Sequence, residues 1–325
     1  MKKLIALALV LLMIVPTLVS CTKKTPDEIR IYTLNGTTGF GMAKMMHDNK
    51  DNEKMSFEVK TDAADVTAAL IAGTVDIAAL PTNAAAIVYN KTEGGVKILA
   101  VNTLGCLYLL TKEGTTVNSF ADLKGKTVYV PAQNPTFIFT DLCKQNALIP
   151  GTDITIDSTT YAKPEALKEA VAAGKIEIAV LPEPMVTVAT SAAKKNSINW
   201  AVALDLTAEW NKVHDAGSLV QGCIVVRSEF LEKYPEAVKD FLTEYKASIE
   251  YLSTNTAEAA QMIVEAGIFA NATVAEKAIP KCNVCYLDGA DMQAKMQVYL
   301  GVLAGINANA IGGKLPADDF YHIAK

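Results

Sequence analysis

Ala72-Gly73-Thr74-Val75-Asp76-Ile77-Ala78-Ala79-Leu80-Pro81 returns 101 residues later as Ala173-Gly174-Lys175-Ile176-Glu177-Ile178-Ala179-Val180-Leu181-Pro182, with six of ten positions identical. Both copies have the same physical grammar. Val66, Ala69, Leu70 and Gly73 share one face of a helix predicted over Ala64–Ala72, and Leu167, Ala170, Val171 and Gly174 share one face of a helix predicted over Pro164–Ala173. A glycine stops each helix, and a short apolar strand (Val75–Leu80, Ile176–Leu181) then runs into a proline. Each copy also follows a strand–loop–helix unit. The first is Ile29–Thr33 with a helix over Gly39–His47; the second is Thr127–Val130 with a helix from about Thr136. A common helix–strand unit can recur by chance, but the constant register points to two related α/β lobes. Alternation of strand and helix along the chain predicts mostly parallel sheets.

In open α/β sheets ligands sit beyond the carboxyl ends of the strands. That rule selects four loops: Leu34–Thr38, Pro81–Asn83, Pro131–Thr136 and Pro182–Pro184. They are rich in Asn, Thr, Gly and Pro, and each precedes a helix, where free backbone N–H groups favour polar or anionic ligands. The candidate ligand contacts in these loops are Asn35, Gly36, Thr37, Thr82, Asn83, Gln133, Asn134, Thr136 and Glu183. For the Asn and Thr residues the alternative is ordinary helix capping. Glu183, between two prolines and at the position echoing Thr82, is either a cargo contact that accepts hydrogen bonds or an exposed loop acid.

Composition narrows the function. The chain has 325 residues, 50% hydrophobic and 20% charged, with a net charge of −5. A sizeable core is available, and nucleic acid is not an expected partner. Arg30 and Arg227 are the only arginines, and neither falls in the four loops, so the bidentate fork that commonly grips a carboxylate is not expected there. The histidines His47, His214 and His322 are scattered, and Cys282-Asn283-Val284-Cys285 is a lone C-x-x-C without further ligands at zinc spacing. Thiols or a minor disulfide are expected there, with no metal, no cofactor and no catalytic constellation. The start of the chain reads as a secretory leader: Met1-Lys2-Lys3, an apolar run from Leu4 to Val19, then Ser20-Cys21. The run is short for a membrane span.

Several segments together resemble a known family. Leu18-Val19-Ser20-Cys21 resembles the lipobox of bacterial lipoproteins. Ile29–Thr38, Ala72–Asn83, Asp122–Val128, Leu219–Arg227 and Tyr234–Val238 resemble type 2 periplasmic binding proteins, nearest to the ABC-importer binding proteins for nitrate, sulfonates, taurine and thiamine-pyrimidine precursors. The resemblance implies two Rossmann-like lobes joined by two hinge strands near Val101–Cys106 and Gly217–Cys223, with Asn102, Thr103 and Gln221 facing the cleft and Asn102 and Gln221 as further candidate ligand contacts. It implies a lipoprotein signal peptide at 1–20, a lipidated Cys21 with a tether to 27, one lobe of 28–103 plus 221–325, and a second lobe of 104–220. A monomer is expected, anchored outside the cell membrane, handing a small solute to an ABC permease and its ATPase. Cytosolic enzymes of pyrimidine or menaquinone synthesis share the bilobal fold and form the alternative. The C-terminal helices, with the stripe Met292, Met296, Tyr299, Leu300 and Leu303, are expected to pack on the first lobe, and Thr273–Glu276 reads as a capping box.

Overall fold

The structure, a computed structural model, describes residues 24–323. The leader, Cys21 and the first two tether residues lie outside the described residues.

In chain order the elements are β1 (Ile29–Leu34), α1 (Thr37–Phe40), α2 (Ala43–Asp48), β2 (Met55–Lys60), α3 (Ala63–Ala72), β3 (Ile77–Pro81), α4 (Thr82–Lys91), β4 (Val96–Leu104), β5 (Leu107–Lys112) and β6 (Thr127–Tyr129). There follow α5 (Asn134–Gln145), β7 (Thr155–Asp157), α6 (Pro164–Ala172), β8 (Ile178–Pro182), α7 (Met185–Lys195), β9 (Trp200–Asp205), α8 (Leu206–Val213) and β10 (Val220–Arg227). The chain ends with α9 (Ser228–Lys233), α10 (Pro235–Thr254), α11 (Thr256–Glu265), α12 (Ala272–Ala278), β11 (Val284–Leu287) and α13 (Gly289–Ile306).

Two sheets result, ordered β11-β4-β10-β3-β1-β2 and β7-β6-β8-β5-β9. The echo in the sequence is an echo in space. β3 and β8 lie 101 residues apart with the same burial pattern; β8 is the middle strand of its five, and β3 lies inside its six between β10 and β1. Each pairs in parallel with the strand that opens its unit (β1, β6) and antiparallel with a strand next to the point where the chain changes sheets (β10, β5). Gly73 and Gly174 both adopt positive φ (71° and 64°) at the helix ends, as their placement predicts.

The expectation of mostly parallel sheets needs correction. β4, β10 and β11 pair antiparallel with one another or with β3, and β5 pairs antiparallel with β8 and β9. The reason is topological. The chain leaves the first sheet through β4 and enters the second through β5; it leaves through β9 and α8 and returns through β10. A strand that enters from the neighbouring sheet runs against its hosts.

Two local expectations also change. The helix predicted over Gly39–His47 is broken into α1 and α2, because the chain is folded tightly back on β1: a Cβ on Gly39 would stand 2.0 Å from the Leu34 carbonyl oxygen. The cap of α12 is Asn271, whose side chain accepts from the Val274 N–H, rather than Thr273. The methionine–leucine stripe of α13 is fully buried, as its spacing predicts. It serves both units, since Tyr299 meets Trp210 of α8 with ring centroids 5.9 Å apart. Each such buried side chain contributes about 1.5–3 kcal/mol. Among the described residues no helix is long and apolar enough to cross a membrane.

Candidate functional site

The carboxyl ends of β1, β3, β6 and β8 lead into the four polar loops, and the structure joins those loops in pairs across a seam between the two sheets. Thr37, the first residue of α1, donates its hydroxyl to the Glu183 carbonyl at 2.7 Å. Asn134, the first residue of α5, donates its amide to Asn83 Oδ1 at 2.6 Å, and Asn83 in turn donates to the Ala310 carbonyl at 3.1 Å. Thus α4 and α5 present their N-terminal turns at one place, from different sheets. The Asn134 Oδ1 atom is buried there without a hydrogen-bond partner. A buried acceptor left unmatched costs about 1–3 kcal/mol and marks where a donor is wanted.

Glu183 is no exposed loop acid: the residue is 2% exposed. Its carboxylate accepts from the Thr187 N–H at 3.1 Å and the Thr187 hydroxyl at 2.9 Å, on the first turn of α7. Lys281 Nζ lies 3.9 Å away. Burial pushes the Glu183 carboxyl above the ordinary range, and the Thr187 bonds with the Lys281 charge offset only part of that.

The remaining candidates are distributed as follows. Thr82 is buried and donates to the Val220 carbonyl at 2.7 Å, tying the α4 start to the returning strand β10. Asn102 is buried and donates to the Thr38 carbonyl and the Tyr245 hydroxyl, while its Oδ1 accepts from Thr103. Gln221 accepts from the Cys106 N–H at 2.9 Å, bracing one inter-sheet crossing against the other. Thr136 donates back to the Pro131 carbonyl and closes its own loop. Gly36, with φ 79°, donates its N–H to the Ile268 carbonyl. Asn35 and Gln133 are exposed at the loop edges. The structure therefore brings Thr37, Asn83, Asn134 and Glu183 to the seam and uses Thr82, Asn102 and Gln221 as its frame.

Four seam residues escaped the loop rule: Cys106, Tyr108, Lys281 and Cys282. The Cys282 Sγ lies 3.7 Å from the Thr37 hydroxyl, and the Tyr108 hydroxyl donates to the Lys281 carbonyl at 2.9 Å. They arrive from segments far apart in sequence: Cys106 ends a crossing that the resemblance implies, Cys282 opens the C-x-x-C, and Tyr108 and Lys281 carry no signal in the sequence. The five described cysteines are free thiols, so no disulfide joins Cys282 to Cys285. Burial pushes the Cys106 thiol up to about 12 and the Cys282 thiol well above its usual value. A thiol so protonated is a poor nucleophile.

Neither arginine reaches the seam. Arg30 and Arg227 converge on Asp76, at 2.7 Å and 3.0 Å, at the amino end of β3. Among the described residues no group of three His, Cys, Asp or Glu side chains is placed to hold a metal ion.

Comparison with known proteins agrees with this architecture. A structure described as an ABC transporter from Parabacteroides distasonis superposes with a TM-score of 0.76 at 24% identity, covering 92% of this chain and all of that one. The periplasmic aliphatic sulphonate-binding protein SsuA of Escherichia coli gives 0.70 at 15% identity, covering 89% of this chain and 90% of that one. The nitrate-binding protein NrtA of Synechocystis gives 0.52 at 13%, covering 73% and 66%. No curated protein sequence matches the chain. The model of a family described as the periplasmic substrate-binding protein of a phosphonate ABC transporter matches residues 42–275, which span strands of both sheets. The chain belongs to that family of periplasmic substrate-binding proteins, which serve ABC importers and are not enzymes.

Proposed function

We propose that the chain is a lipid-anchored solute-binding protein that closes two lobes, 28–103 plus 221–325 and 104–220, on a small oxyanion-bearing solute and releases it to a permease. Acylation at Cys21 supplies the anchor, and the crossings near Val101–Cys106 and Gly217–Cys223 supply the hinge. The observation that carries this reading is the seam itself. Two helix starts from different sheets, those of α4 and α5, meet at the Asn134–Asn83 bond beside an unmatched buried acceptor. Helix starts favour an anionic head group without any arginine, and Asp76 holds both arginines elsewhere.

Glu183 refines the cargo. A buried carboxylate repels a second negative charge and favours a donor, so the solute pairs its oxyanion with a protonated amine or a similar N–H group. An amino-alkylsulfonate or amino-alkylphosphonate fits this better than nitrate. An aminopyrimidine offers the donor and an aromatic face but no oxyanion.

The test is a thermal-shift and calorimetric panel of taurine, ethanesulfonate, 2-aminoethylphosphonate, nitrate and an aminopyrimidine. Stabilisation by an amine-bearing oxyanion, with the solute recovered unchanged, supports the reading. Preference for ethanesulfonate over taurine, or turnover of any bound solute, contradicts it.

A further inference from the structure

Lys281 comes to the seam from the first sheet and Glu183 from the second. Lys281 ends a short turn (Ile279–Lys281) between α12 and β11, whereas Glu183 follows β8. Bonds at three consecutive residues hold the turn in place. The Lys281 carbonyl accepts from the Tyr108 hydroxyl at 2.9 Å, the Cys282 Sγ lies 3.7 Å from the Thr37 hydroxyl, and Asn283 donates its amide to the Gly105 carbonyl at 2.5 Å. The Lys281 backbone is therefore fixed at the seam whatever its side chain does.

The side chain itself is held loosely. Its Nζ stands 3.9 Å from Glu183 Oε1, at the outer edge of ion-pair contact, and it is 54% exposed while the Glu183 side chain is fully buried. An ammonium so placed exchanges its partner for water at little cost. Glu183, for its part, has room for another donor. A carboxylate offers about four acceptor sites, and the Thr187 N–H and hydroxyl occupy two of them. Burial raises the Glu183 carboxyl, and the Thr187 bonds and the Lys281 charge draw it part of the way back, so the ionised form depends on a cation beside it.

We propose that Lys281 is an exchangeable counter-ion that sets the specificity of the seam. In the empty protein it stands in for the amine of the solute, and an arriving amine takes its place on Glu183 while the ammonium swings into water. The inference rests on the reading of the cargo as an oxyanion that carries an amine. An amine-free oxyanion leaves Lys281 in place and relies on it to offset Glu183; an amine-bearing one brings its own cation. Lys281 thus narrows the difference between the two kinds of solute.

The test is calorimetry on the purified chain and its K281M and K281R variants with two matched pairs of solutes that differ in the amine: taurine with ethanesulfonate, and 2-aminoethylphosphonate with ethylphosphonate. K281M keeps the length of the stem and removes the charge. It should bind the amine-free member about tenfold more weakly, between the loss expected for an exposed and for a buried ion-pair partner, and the amine-bearing member at least as tightly as the parent does. K281R, whose fork grips a carboxylate through two bonds, should shift the ratio the other way at the expense of the amine-bearing member, and it decides the matter by itself if K281M does not fold. A ratio unchanged in folded K281M, or both members weakened equally, overturns the inference and leaves the cargo reading standing. A parent that binds neither amine-bearing solute overturns both.

Discussion

Replacing Thr37 by Val and Asn134 by Ala removes the two side-chain bonds that join the polar loops across the seam. Thr37→Val keeps the shape and deletes the hydroxyl that meets the Glu183 carbonyl at 2.7 Å; Asn134→Ala deletes the amide that meets Asn83 at 2.6 Å. Each neutral hydrogen bond contributes about 1 kcal/mol net. The two share no partner, so their effects add. Together they disfavour the closed arrangement by about 2 kcal/mol, roughly 30-fold in the closed-to-open ratio. That cost applies only while the loops touch, because in an opened molecule water satisfies the same groups. The double variant should therefore show a larger radius of gyration than the parent by small-angle scattering in the absence of solute. Its solute affinity should fall by up to the same factor. A scattering profile identical to the parent's, together with a lowered melting temperature, would refute the reasoning: the bonds would then belong to one rigid core and not to a hinged closure.

Three further outcomes follow from the same structure. Asp76→Ala leaves two guanidinium groups without their shared carboxylate. Arg30 is 37% exposed, so the loss in urea denaturation should be about 2–3 kcal/mol, below the about 3–5 of a fully buried pair, with solute binding unchanged. Glu183 has a folded pKa above its unfolded value of 4.5, so the folded state holds the extra proton between those two values. Stability should therefore fall as pH rises through that window and stay penalised above it. Glu183→Gln should equal or exceed the parent in denaturation midpoint at neutral pH, lose that advantage in acid, and bind an amine-bearing solute more weakly. Cys106, Cys143 and Cys285 have thiols raised to about 12 by burial, so Ellman's reagent should react slowly with the folded chain and promptly in denaturant. Cys285, the least buried of the described cysteines, should react first.

Much of this architecture is legible in the sequence because it depends on local repetition. The Ala72–Pro81 and Ala173–Pro182 copies give two helices, two central strands and their register, and the strand-end rule then names loops that meet in space. What is not legible comes from pairing at long range. Asn102 and Gln221 read as polar groups beside the crossings, but that Asn102 bonds Thr38 and Tyr245 and that Gln221 accepts from Cys106 is invisible in the sequence. Nothing local names the partner of a polar side chain near a crossing. Glu183 is ambiguous for a similar reason, since its neighbours include Thr37, 146 residues away, whose hydroxyl meets its backbone carbonyl. The antiparallel strands escape the alternation rule because their partners are chosen by a chain that changes sheets twice.

The most direct test of capture without chemistry is mass spectrometry of what the chain retains. The purified protein is incubated with a mixture of small extracellular solutes, separated from free solute by gel filtration, and denatured. The account predicts about one equivalent of a single oxyanion-bearing, amine-bearing molecule, recovered with its mass unchanged and in smaller amount from the T37V/N134A variant. Recovery of a chemically altered product, or retention undiminished in that variant, would contradict it.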